Sequence, residues 1–87
     1  MTQLRVPDRV AVCRIDDVLY VAALPSGPIH VLNGVAALIW EESLAGSRGD
    51  LAARVAAATD ASAEEVAGDV AVFVDGLLER GLLIEVG

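Results

Sequence analysis

The residues able to do chemistry are few, and the sequence does not bring them together. Adjacent carboxylates occur at Asp16-Asp17 and Glu64-Glu65. Such pairs serve acid–base catalysis only where a cleft holds them, and here their flanks read as a turn and a helix start. The single histidine, His30, and the single cysteine, Cys13, leave a metal site short of ligands. A lone cysteine also excludes an internal disulfide, and the plain expectation for Cys13 is a small buried hydrophobe. The glycines are dispersed and make no phosphate loop. No catalytic residues, metal ligands or cofactor are therefore assigned, and the chain is expected to act by binding.

Composition narrows what it binds. The 87 residues carry a net charge of -7, and all six basic residues are scattered arginines. Nucleic-acid affinity depends on cationic side chains that release counterions from phosphates, so DNA and RNA are disfavoured as partners. An acidic surface suits a basic peptide or a protein with a positive patch. No apolar run reaches the ~18 residues of a membrane span, and the first residues lack the apolar core of a signal peptide, so a cytoplasmic location is expected. The length fits one domain over residues 1–87. Hydrophobic residues make up 55% of the chain but aromatics only 3%, so Val, Leu, Ile and Ala must build the core, with Trp40 and Phe73 as anchors.

The elements that would position these residues can be read in order. Residues 1–8 form a polar lead-in closed by Pro7. Arg9–Ile15 reads as a strand, Asp16-Asp17 as a turn, and Val18–Leu24 as a second strand whose two apolar faces suit the middle of a sheet or a face that meets a partner. Pro25-Ser26-Gly27 is a turn. Pro28–Leu32 is a third strand, and Pro28, which has no N–H to donate, favours an edge. The pattern then becomes helical. Asn33 is a plausible N-cap, and Ala36, Trp40 and Leu44 share a face that Val35, Leu38 and Ile39 extend. Ala45-Gly46 ends that helix. Ser47 and Asp50 resemble a capping box ahead of a helix over about Arg48–Ala58, and Ser62 with Glu65 makes a second box ahead of one reaching about Arg80. In this last helix Val66, Val70, Phe73 and Leu77 recur at helical spacing, Val74 and Leu78 widen the stripe, and Gly81 is a natural stop. Leu82–Val86 is an apolar tail able to pair or pack. Strands followed by helices indicate α+β rather than alternating α/β.

Two segments carry a family resemblance. Leu32-Asn33-Gly34-Val35-Ala36-Ala37-Leu38-Ile39-Trp40-Glu41 resembles the L-N-x-x-(A/G)-x-x-I-W segment of the PqqD-like family. Asp69-Val70, Phe73, Leu77 and Gly81-Leu82-Leu83 resemble its D-V-x-x-F-x-x-x-L-x-x-x-G-L-L segment. The likeness covers roughly residues 9–85. It implies a RiPP recognition element, a winged helix-turn-helix-like domain of three antiparallel strands and three helices that binds the leader peptide of a ribosomally made precursor. Such a domain presents the leader to a modifying enzyme or leader peptidase. Freestanding lasso-peptide B1 proteins look closer than the PQQ-biosynthesis member, which has Pro-Glu-Gly where this chain has Pro25-Ser26-Gly27. Many relatives carry paired aromatics where Pro28-Ile29-His30 stands here. The resemblance assigns peptide binding to the edge segment Ile29, His30 and Val31, by strand addition, and to a groove wall of Asp69, Val72, Phe73 and Gly76. In that scheme Gly76 leaves room for a ligand side chain, Asp69 accepts a hydrogen bond or pairs with a basic peptide residue, and Val72 and Phe73 floor an apolar pocket.

Plainer readings stand beside these. Phe73 and Trp40 serve as core residues, Asp69 as a solvated helix charge, and His30 as an ordinary strand residue. A winged-helix regulator would need a basic recognition helix, whereas the second and third helices offer only Arg54 and Arg80. Glu42-Ser43-Leu44 faintly resembles a phosphopantetheine site, but that serine falls at a helix end. A protein-interaction module without a peptide ligand stays open, as does a homodimer joined through edge strands.

Overall fold

The computed structural model describes residues 2–86. Five strands and three helices follow in the order β1 (Gln3–Arg5), β2 (Val10–Ile15), β3 (Val18–Ala23), β4 (Ile29–Leu32), α1 (Gly34–Ala45), α2 (Leu51–Thr59), α3 (Ala63–Glu79) and β5 (Ile84–Val86), with a 3₁₀ turn at Arg48–Asp50 ahead of α2. The expected α+β, winged helix-turn-helix-like plan is present: β2, β3 and β4 form an antiparallel meander with β3 in the middle and β4 at an edge, and three helices follow.

Local chemistry explains the turns. Asp16 closes the β2–β3 hairpin with φ of 55°, a left-handed conformation that Asp tolerates because its short polar side chain bonds locally. After β3 the chain turns back so tightly that the Gly27 N–H donates to the Ala23 carbonyl at 2.7 Å. A Cβ on Gly27 would stand 2.4 Å from that oxygen, so only glycine fits.

Helix ends follow their caps unevenly. At α3 both capping-box bonds form: the Glu65 N–H donates to Ser62 Oγ, and the Ser62 N–H donates to Glu65 Oε1, each at 3.2 Å. The box expected at Ser47 does not form. Its hydroxyl donates to the Asp50 carboxylate at 3.2 Å, and the chain enters α2 through the 3₁₀ turn. Asn33 sits at the N-cap of α1 without a side-chain bond to the helix. At the end of α3, Gly81 (φ of 72°) donates to Leu78 and Leu82 donates to Leu77, the paired bonds of a Schellman motif.

Three further expectations give way. The lead-in is not merely polar: β1 pairs antiparallel with β5, and Leu4 is buried. That pairing joins the two ends of the sequence, a contact invisible to local patterning. The inward face of α1 is rotated from the one expected. Ala37, Ile39, Trp40 and Ser43 are buried while Val35 and Leu44 are exposed, and Ser43 can go inward because its hydroxyl donates to the Ile39 carbonyl at 2.6 Å. Cys13 is exposed rather than buried, because alternation places it opposite Tyr20 on the outer side of the sheet.

The core lies between the inner face of the sheet and the helices. Val21, Val55 and Val74 are almost inaccessible, as are Leu51, Leu82 and Leu83, and Trp40 is 2% exposed. The stripe expected in α3 is real but centred on Val70, Val74 and Leu77, while Val66, Phe73 and Leu78 pack against it partly buried. Among the described residues no helix is long and apolar enough to cross a membrane.

Candidate functional site: the open edge of β4 beside α3

Strand alternation divides the candidate residues of β4. Val21 and Leu19, both buried, pair with His30 and Leu32, so these two point to the inner side. Ile29 and Val31 point outward opposite Ala22 and Tyr20, at 68% and 55% exposure. Among the described residues the strand has one neighbour, β3, as β2 does at the opposite edge of the sheet. Its other side therefore offers backbone N–H and C=O groups to an incoming chain. The three residues thus differ: Ile29 and Val31 supply edge backbone and an apolar outer surface, whereas the His30 side chain faces the helix layer.

A cavity of about 260 Å³ opens there, lined by Ala23, Gly27, Pro28, His30, Arg80 and Leu82. It brings the start of β4 beside the end of α3. The proposed groove residues of α3 are not in its lining. Asp69 and Val72 are exposed, Val72 at 75%, and Phe73 is half-buried against the core. Gly76 does leave space, but the space is filled from within. A Cβ built there would meet Arg80 Nη1 at 2.7 Å.

Arg80 is the residue that sequence reasoning passed over. The signal was present: it stands four residues after Gly76, and eleven after Asp69, a separation that returns to within about 20° on a helix of 3.6 residues per turn. Asp69, Phe73, Gly76 and Arg80 therefore share one row along α3. The other cavity-lining groups, Pro28, Gly27 and Leu82, come from a turn and a tail that helical periodicity does not address.

Three arginines elsewhere are paired within the fold, while Arg5 and Arg9 have no ion pair among the described residues. Arg14 pairs with Glu41. Arg48 reaches Asp75 at 2.7 Å and Glu85 at 2.5 Å. Arg54 donates to the carbonyls of Glu42 and Ser47 at 2.7 and 3.1 Å, while its Nε lies 3.4 Å from the Glu42 carboxylate and off hydrogen-bond geometry. Glu65 has its carboxyl held below the ordinary value, chiefly by the Ser62 N–H and then by the Ser62 side chain. A wider, shallow hollow of about 590 Å³ is lined by Thr2, Ser47, Arg48, Gly49 and Asp50. Its polar groups already serve the fold: the Arg48 N–H donates to the Thr2 carbonyl at 2.9 Å. Among the described residues no cluster of His, Cys, Asp or Glu could hold a metal ion.

Fold and site together define a small winged helix-turn-helix-like α+β domain with a free strand edge flanked by a helix. The family described as coenzyme PQQ synthesis protein D (PqqD) matches residues 19–83, and the chain belongs to that family. A solved structure titled TbiB1 in complex with the TbiA(beta) leader peptide is similar, with a TM-score of 0.79 and 25% identity over 91% of this chain and 93% of that one. A comparison with curated proteins gave no match.

Proposed function

We propose that this chain binds the leader peptide of a ribosomally synthesised, post-translationally modified precursor and presents it, without chemistry of its own, to a modifying enzyme or leader peptidase in the cytoplasm. The observation that carries the proposal is the unpaired edge of β4 beside α3, in a chain similar to one solved with a leader peptide. An extended peptide adds to that edge as a further strand. Main-chain bonds give affinity and alternate side chains give specificity. Ile29, His30 and Val31 form the receiving edge, and Asp69, Val72, Phe73 and Gly76 form the wall above it. The described residues act as one domain within 1–87.

The test uses fluorescent leader peptides made from the short reading frames that flank the gene, with the TbiA(beta) leader as a second probe. Saturable binding at micromolar concentration or tighter is expected, with slowed amide exchange across Ile29–Leu32 and unchanged peptide mass after incubation. No saturable binding by any of these peptides would overturn the proposal. A second copy of the chain is the natural competitor for the same edge, so sedimentation with and without peptide should show any dimer dissolving as peptide saturates.

A further inference from the structure

We propose that Arg80 selects an acidic side chain in the peptide that adds along β4. The inference rests on the leader-binding reading and specifies the ligand.

Three arginines of this acidic chain, Arg14, Arg48 and Arg54, have carboxylates within the fold. Among the described residues no carboxylate pairs with Arg80, nor with Arg5 or Arg9; what sets Arg80 apart is its place in the lining of the cavity at the start of β4. Asp75, one turn back, is engaged by Arg48. Glu79, the adjacent residue, is not paired with it either.

The guanidinium is also held in a useful place. Gly76 has no side chain, so Arg80 folds back along α3 with Nη1 2.7 Å from where a Cβ would stand. That keeps the cation in the row of α3 that carries Phe73 and Asp69. It also keeps it in the cavity at the start of β4, whose other walls are Ala23, Gly27, Pro28, His30 and Leu82. Arg80 is exposed beside these walls and open to an incoming chain, and its planar guanidinium fork matches a carboxylate in two-point contact. A peptide strand passing along β4 would carry side chains into this space at alternate positions. The side chain that completes the cavity is Asp or Glu.

The same row gives the groove two signs. Asp69 and Arg80 are eleven residues apart, about 16 Å along a helix, a span that an extended peptide covers in about five residues. An acidic peptide residue at the Arg80 end therefore also fixes which way the peptide runs.

The experiment is a selection of random peptides displayed on their own messenger RNA. This format blocks the peptide C-terminus, so any carboxylate selected is a side chain. The baits are the wild-type chain, Arg80→Gln and Arg80→Glu, each first shown to be folded by circular dichroism. Wild-type selections should carry Asp or Glu at one fixed offset from the apolar positions. That preference should vanish with Arg80→Gln while the apolar positions persist, and turn to Lys or Arg with Arg80→Glu. For one selected peptide, changing the acid to its amide should cost about five- to tenfold in affinity for the wild type and nothing for Arg80→Gln. An acidic preference that survives Arg80→Gln, or wild-type selections with no acidic position, would overturn the assignment of Arg80 alone. Failure of the wild type to enrich any peptide that protects the β4 amides from exchange would instead overturn leader binding, and this inference with it.

Discussion

Two regions of the molecule, the β1–β5 pair and the β4 edge, treat their charges in different ways. In the first, β1 and β5 close on each other, and Arg48 ties the 3₁₀ turn to α3 through Asp75 and to β5 through Glu85. In the second, β4 keeps a free edge, Ile29 and Val31 stand exposed, and no carboxylate among the described residues pairs with Arg80. A fold of this size buries only about 60% of its unfolded surface, so unsatisfied edges and charges are conspicuous. The closed region shows that this chain can satisfy such groups internally. The β4 edge stays unpaired, as β2 does at the opposite side of the sheet, and the proposed function takes the β4 edge because the cavity and the end of α3 lie beside it.

Substitutions can break or sharpen that contrast. The largest effect belongs to the core that both regions share: Trp40→Ala should cost about 3–5 kcal/mol in urea unfolding and abolish both together. Next comes Phe73, half-buried against the core and assigned to the groove wall in the proposed function. Phe73→Ala should weaken peptide binding about tenfold by titration, with a smaller loss of thermal stability; wild-type affinity in this variant would remove α3 from the groove. In the closed region, Arg48→Ala should lower stability by about 1 kcal/mol, in the range of partly exposed ion pairs, and leave peptide affinity unchanged. An affinity loss there would erase the distinction between the two regions.

The smallest effect tests the start of α3. Ser62→Ala should cost about 0.5 kcal/mol at neutral pH, and the cost should depend on pH. Glu65 has a folded pKa below its ordinary 4.5 because of Ser62. Its stabilising contribution is therefore complete above the unfolded pKa and is lost as the pH falls through the lower folded value. The stability gap between wild type and Ser62→Ala should narrow as the pH drops below about 4.5; the variant keeps the backbone N–H at position 62, so a gap constant down to pH 2 would show that the Ser62 hydroxyl contributes nothing through Glu65.

Much of the fold is legible in the sequence, and the illegible part has a common cause. The hairpin at Asp16-Asp17, the edge position of the strand after Pro28, the Ser62–Glu65 box and the Gly81 stop are all short-range signals set by backbone geometry. The plain expectation failed for Cys13 because a residue's face depends on register, and for Leu44 because Ser43 found a carbonyl one turn back and took the inward position. Arg80 was passed over because an arginine at a helix end reads as solvated until the β4 turn is seen beside it.

The sequence by itself determined the order of strands and helices, the caps that bound α3, and the row along α3 that holds Asp69, Phe73 and Gly76. These follow from interactions within a few residues, where turn chemistry and helical period act directly. Only the tertiary structure decided that the two termini pair, that β5 closes on β1 while β4 keeps an open edge, and that Arg80 lies over Gly76 beside the cavity at Pro28 and His30. Those outcomes depend on contacts between residues far apart in the chain, and packing alone selects among them.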